Sequence, residues 1–142
     1  MKNLIIFTIF CSIFFCSCSA SRLSQKVIDP LAIEMEKTQN MQLTSYATGQ
    51  MWGKEVIMFD FDKEGFYTIE ESRELYVKTM GKIIRLINSN EFLQNEFKYF
   101  PVVPENITLE IRFKSPQGKV FPPYIQSVGN DFSEKVNYRT FA

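Results

Sequence analysis

The sequence predicts an α+β domain: an antiparallel sheet with one long helix packed on one face, in the element order α-β-β-α-β-β-β. Three stretches carry that expectation. Thr68 to Asn88 (TIEESRELYVKTMGKIIRLIN) has the start signal, the periodicity and the charge asymmetry of a helix. Ile107 to Lys114 (ITLEIRFK) alternates apolar and polar residues throughout. Met41 to Asp62 holds two runs of strand-forming residues around a connection containing two glycines.

Asp29-Pro30 supplies a cap and a first helical position, so Leu31 to Thr38 is expected to make a short helix. Met41 to Thr48 and Glu55 to Asp62 then form a hairpin across Gly49 to Lys54. In the second of these strands Val56, Met58 and Asp60 point one way and Ile57, Phe59 and Phe61 the other. Both faces are apolar near its start, which places this strand in the interior of the sheet.

The long helix opens on Thr68 and Glu71, the spacing of a capping box. Glu70, Glu71 and Glu74 lie at the positive end of its dipole, and Lys78, Lys82 and Arg85 lie toward the negative end. Ile69, Tyr76, Met80, Ile83, Ile84 and Ile87 form an apolar stripe with Val77 beside it, widened by Leu75 and Leu86. Glu91 to Phe97 is expected as a second, short helix, after which Pro101 and Pro104 force extended chain.

In the alternating strand Ile107, Leu109, Ile111 and Phe113 face inward. Ser115-Pro116-Gln117-Gly118 has the residues of a type I turn. Tyr124 to Val128 and Lys135 to Phe141 complete the sheet, divided by Gly129-Asn130-Asp131. Pro122 and Pro123 mark the first of these as an edge or a bulge.

Composition bounds the chemistry. The chain has 142 residues, 45% of them hydrophobic, and 16 basic against 16 acidic side chains. That suffices for one domain with a core, and the even balance without a basic stripe argues against nucleic acid as a partner. The sequence has no histidine, which removes Ser-His-Asp and Cys-His nucleophile activation and every imidazole metal site. The three cysteines are Cys11, Cys16 and Cys18, so the rest of the chain has no thiol nucleophile, disulfide or thiolate zinc site.

The N-terminus reads as an export address. Lys2 precedes the apolar run Leu4 to Phe15, which has the length of a signal-peptide core and is too short to span a bilayer. Cys16-Ser17-Cys18-Ser19-Ala20 follows, and it resembles the lipobox of bacterial lipoproteins, with Ser17 as the small residue before an acylated Cys18. Phe15 and Cys16 stand where that pattern has an aliphatic and a small residue. Ordinary secretory cleavage after Ala20 is the alternative and leaves a soluble secreted chain. The resulting division is a signal peptide over 1–17, a lipidated cysteine and polar tether over 18–29, and a single domain over 30–142.

Tyr99 to Ile107 (YFPVVPENI) and Ser115 to Ile125 (SPQGKVFPPYI), with the hairpin and the acidic-to-basic helix before them, resemble an uncharacterised group of small exported bacterial envelope proteins. The resemblance implies export and the α+β fold, and it implies nothing about chemistry.

Several motifs invite a functional reading. Asp60 to Glu71 (DFDKEGFYTIEE) has the spacing of a calcium loop, with Asp60, Asp62, Glu64 and Glu71 at ligand places and Gly65 at the turn. Against it stand the strand-like entering segment, Tyr67 at an aliphatic place, and the competing capping role of Glu71. Asp60 and Asp62 after an apolar strand also have the look of an aspartyl phosphatase nucleophile, without its threonine. Glu70, Glu71 and Glu74 are acidic enough for glycoside hydrolysis, but a first helical turn more often holds carboxylates as dipole partners. Trp52 and Tyr46 offer rings near the hairpin, Asn106-Ile107-Thr108 has the form of a glycosylation sequon, and Phe121 to Tyr124 holds a proline pair. The expectation these weigh toward is a membrane-anchored, non-enzymatic envelope lipoprotein without a cofactor, facing the periplasm or on the outer membrane. Its contacts would be the membrane through the Cys18 acyl (palmitate-type) anchor, and a protein or glycan. The alternatives are a calcium-binding module and a hydrolase built on carboxylates alone.

Overall fold

A computed structural model of the chain describes residues 22–51, 53–116, 123–130 and 135–140. Its first helix begins upstream of the expected boundary. Ser24–Ile28 is π-helical and runs directly into α1, Asp29–Gln39. Val27 and Ile28 are buried, and Leu23 packs against the core. The tether reading of 18–29 is therefore corrected over this part. The signal was present: Leu23, Val27, Leu31 and Met35 repeat every fourth residue, one stripe of a single helix. Polar neighbours masked it.

Asn40 ends α1 in the left-handed conformation, its N–H bonded to Glu36 O at 3.0 Å. The chain then enters β1, Met41–Met51, and returns as β2, Lys54–Glu64. The register runs to Met51 opposite Lys54, so both strands extend into what the sequence reads as their connection. Ile57, Phe59 and Phe61 of β2 are buried under the helices.

The helix α2 spans Ile69–Asn88 and crosses the sheet to bring the chain to β3, Ile107–Lys114. Here the antiparallel expectation is corrected. β2 and β3 pair in parallel, from Ile57 opposite Ile107 to Glu64 opposite Lys114. Parallel neighbours need a crossover long enough to return the chain to the same end of the sheet, and the segment holding α2 supplies it. β4, Ser127–Asn130, and β5, Val136–Arg139, follow antiparallel, giving a five-stranded mixed sheet in the order β1-β2-β3-β4-β5.

β4 lies later in the chain than expected because Gly129 and Asn130 belong to the strand. A Cβ on Gly129 would stand 2.7 Å from Leu109 O, so only glycine lets β4 approach β3 this closely. The Asn130 side chain extends the pairing: it donates to Ile107 O at 2.9 Å and accepts from Leu109 N at 2.8 Å. Gln117, Gly118, Phe121, Pro122 and Phe141 lie outside the described residues.

One face of α2 holds the core together. Tyr76, Met80, Ile83 and Ile87 are buried as the periodicity predicts, but Val77 is 64% exposed and Ile69 37%. Ser72 and Thr79 are fully buried in their place. Both find partners: Ser72 Oγ donates to Ile69 O at 2.8 Å, and Thr79 Oγ1 to Gln39 Oε1 of α1 at 3.0 Å. Lys82 ties the same two helices through Glu34 at 2.9 Å and through Thr38.

The short helix α3, Glu91–Glu96, is capped by Asn90, whose side chain also donates to Lys26 O at 2.8 Å. A turn over Pro104–Asn106 then leads into β3.

Candidate functional site

The helices pack on one face of the sheet; on the other, Val56 and Met58 keep the start of β2 apolar, while the later half of β2 and the outward positions of β3 are polar. The parallel β2–β3 register sets Asp60 beside Glu110, Asp62 beside Arg112 and Glu64 beside Lys114. The neighbouring strands add Thr44 and Ser45 from β1 and Arg139 from β5.

Asp62 is the hub of this array. It is 8% exposed, takes the Arg112 Nε–H at 3.0 Å and pairs with Lys114 through its other oxygen. Arg112 also donates to Thr44 Oγ1, and Thr44 Oγ1 donates to Asp60 O at 3.0 Å. That hydroxyl reaches the face because β1 shifts register between Leu43 and Ser45. Ser45 Oγ donates to Asp60 Oδ2 at 2.6 Å. Arg139 Nη1 lies 3.4 Å from Glu110 Oε1, which separates the adjacent Asp60 and Glu110 charges by giving each its own partner. The result is a connected row of polar contacts running from β1 through β2 to β3, with a third ion pair, Glu110–Arg139, reaching β5.

At one end of the row a cleft of about 170 Å³ opens between Asn40 and the ends of β2 and β3. Glu36, Gln42, Asp62, Lys63, Glu64 and Lys114 line it. Lys63 donates to Gln39 O, and burial, with Lys78 nearby, holds its amine below the usual lysine range. Lys114 is bound to Asp62. Both amines are thus engaged within the fold.

The four carboxylates of the calcium-loop reading do not converge. Asp60, Asp62 and Glu64 alternate along β2, where side chains on one face repeat about every 7 Å. That spacing is incompatible with several bonds to one ion at about 2.4 Å. Glu71 accepts from the Thr68 N–H at 2.9 Å and from the Thr68 hydroxyl at 3.1 Å, completing the capping box. No group of three or more His, Cys, Asp or Glu among the described residues is arranged to hold a metal ion. Gly65 makes the sharp turn the motif requires, with φ of 128°, but its N–H bonds to Lys114 O at 3.0 Å and so prolongs the β2–β3 ladder.

The remaining motifs fall elsewhere. Glu70 and Glu74 are exposed on α2, away from the polar face. Tyr46 is 37% exposed on β1. Asn106 is buried, donating to Glu55 O at 3.0 Å and accepting from Val103 N at 3.2 Å, so its amide serves the backbone. Tyr124 packs on Phe66 with ring centroids 5.2 Å apart. Cys18 and Trp52 lie outside the described residues. The reading from sequence missed Arg112, Lys114 and Thr44; alternation predicted that the first two face outward, but not that a parallel neighbour would set Asp62 between them.

Compared with known proteins, the chain matches no family model, no curated protein and no solved structure. No helix among the described residues is long and apolar enough to cross a membrane.

Proposed function

We propose that this chain is an envelope lipoprotein, held at a membrane by an acylated Cys18, whose α+β domain is a non-enzymatic binding or structural module. The observation that carries the reading is the placement of every cysteine at 11, 16 and 18, within and just after an apolar leader. Each buried methylene of an acyl chain contributes about 0.8 kcal/mol to membrane binding. The lack of histidine and of any later cysteine supports a role in binding over nucleophilic chemistry. On this reading a protein or glycan partner meets the polar sheet face, where oriented charges and hydroxyls sit on rigid strands.

The test is metabolic labelling with a radioactive fatty acid, comparing the wild type with Cys18→Ser. Label present in the wild type and lost in the variant supports the anchor. Label retained in the variant moves the assignment to Cys16. An unlabelled wild type recovered in soluble form, with Ser21 as its first residue, replaces the anchor with cleavage after Ala20.

A further inference from the structure

We propose that β1 is a self-association edge, pairing antiparallel with β1 of a second copy of this chain to make a continuous ten-stranded sheet. The two edges of the sheet are built differently. β5 is four residues long and is bracketed by Lys135 and Arg139, cations of the kind that discourage strand addition. β1 is eleven residues long and contains neither a charged residue nor a proline. It ends the sheet order, and Thr44 to Gln50 are exposed along it, including Tyr46 and Thr48 on the helix side. Its one irregularity is the register shift at Thr44, which leaves Ser45 to Met51 regular.

A second copy is the occupant favoured by the residues themselves. Centring a two-fold axis on Thr48 sets Tyr46 opposite Gln50, Ala47 opposite Gly49 and Thr48 opposite its own counterpart. Ala47 and Gly49 then meet as small residues beside the axis, with Ser45 opposite Met51 further out on the same face, while a threonine pair and two larger polar pairs form on the helix side. No like charges meet anywhere along the run. The full chain balances 16 basic against 16 acidic side chains, and loss of the leader removes only Lys2 among them, so overall repulsion between copies is small. A two-fold interface of this kind is closed and stops at the dimer.

The test is sedimentation equilibrium of the chain as cells produce it, in detergent where it is acylated, from about 1 to 100 µM, a range that brackets a micromolar Kd. The expected result is a reversible dimer. Thr48→Lys sets two ammonium groups opposite each other and is expected to weaken it at least tenfold, with the melting midpoint of the dilute protein unchanged. Asn137→Lys on β5 leaves association as in the wild type. Hydrogen exchange needs no variant: amides within Ser45 to Gln50 are expected to slow as wild-type concentration rises. A monomer across the whole range overturns the proposal. So does a dimer indifferent to Thr48→Lys, or protection of these amides only when a different chain copurifies.

Discussion

Asn88 and Val102 form a two-point clasp: the Asn88 side chain donates to Val102 O and accepts from Val102 N, both at 2.8 Å. The last residue of α2 thereby holds the proline-flanked segment before β3, and Val102 is 1% exposed. Asn88→Ala leaves a buried peptide N–H and C=O without partners, which costs about 2 kcal/mol. The expected outcome is a fall in melting midpoint on the order of 8 °C, read by circular dichroism. A midpoint within a degree of wild type would show that water replaces the amide at no loss.

Asp62 ties β1, β2 and β3 together through Arg112 and Lys114. Asp62→Asn keeps the shape but removes the charge both cations face. Because Arg112 and Lys114 are substantially exposed, solvent screens part of the loss, and about 1 kcal/mol is expected. Chemical denaturation in urea measures it. The difference between variant and wild type should shrink at high salt, as expected for partly screened pairs.

The capping box and the calcium reading make opposite claims on Glu71. Thr68→Ala should lower stability by about 1 kcal/mol, whereas Glu71→Gln retains the hydrogen bond to the Thr68 N–H and should change it little. The wild-type melting midpoint should not move on addition of about 1 mM calcium, since the acidic side chains stand apart along a strand. A rise of several degrees with calcium, abolished by Glu71→Gln, would restore the loop.

Burial, with Tyr138 close by, pushes the Tyr76 hydroxyl up to about 12. A phenol raised in the folded state contributes stability that is complete below its unfolded value near 10 and is lost as pH rises through the folded value. Stability should therefore decline between about pH 10 and 12, by on the order of 2 kcal/mol. Tyr76→Phe should flatten that part of the profile. Tyr67 is raised by burial in the same direction and leaves a residual slope.

Gly129 marks the closest approach of β4 to β3. Gly129→Ala forces a methyl group against Leu109 O and the Glu110 backbone, and an overlap with backbone is relieved only by moving a strand. A loss of about 2 kcal/mol is expected, with amide exchange faster in β4 and β5 than in β2.

The elements themselves were legible from local pattern. Thr68 and Glu71 fixed the start of α2, and strict alternation fixed β3 from Ile107 to Lys114, because capping and side-chain periodicity depend only on residues a few places apart. Composition alone settled that no histidine is present and that cysteine is confined to 11, 16 and 18. Tertiary structure decided the rest. It determined that β3 lies parallel to β2, that Thr79 is buried where Val77 is exposed, and that Asp62 faces two cations in place of a metal ion. Each of these turns on which distant strand or helix becomes a neighbour, and a crossover closes that contact over dozens of residues. The Asn88 and Asn130 side chains are the clearest cases: their partners are backbone groups far along the chain, and no local rule points to them.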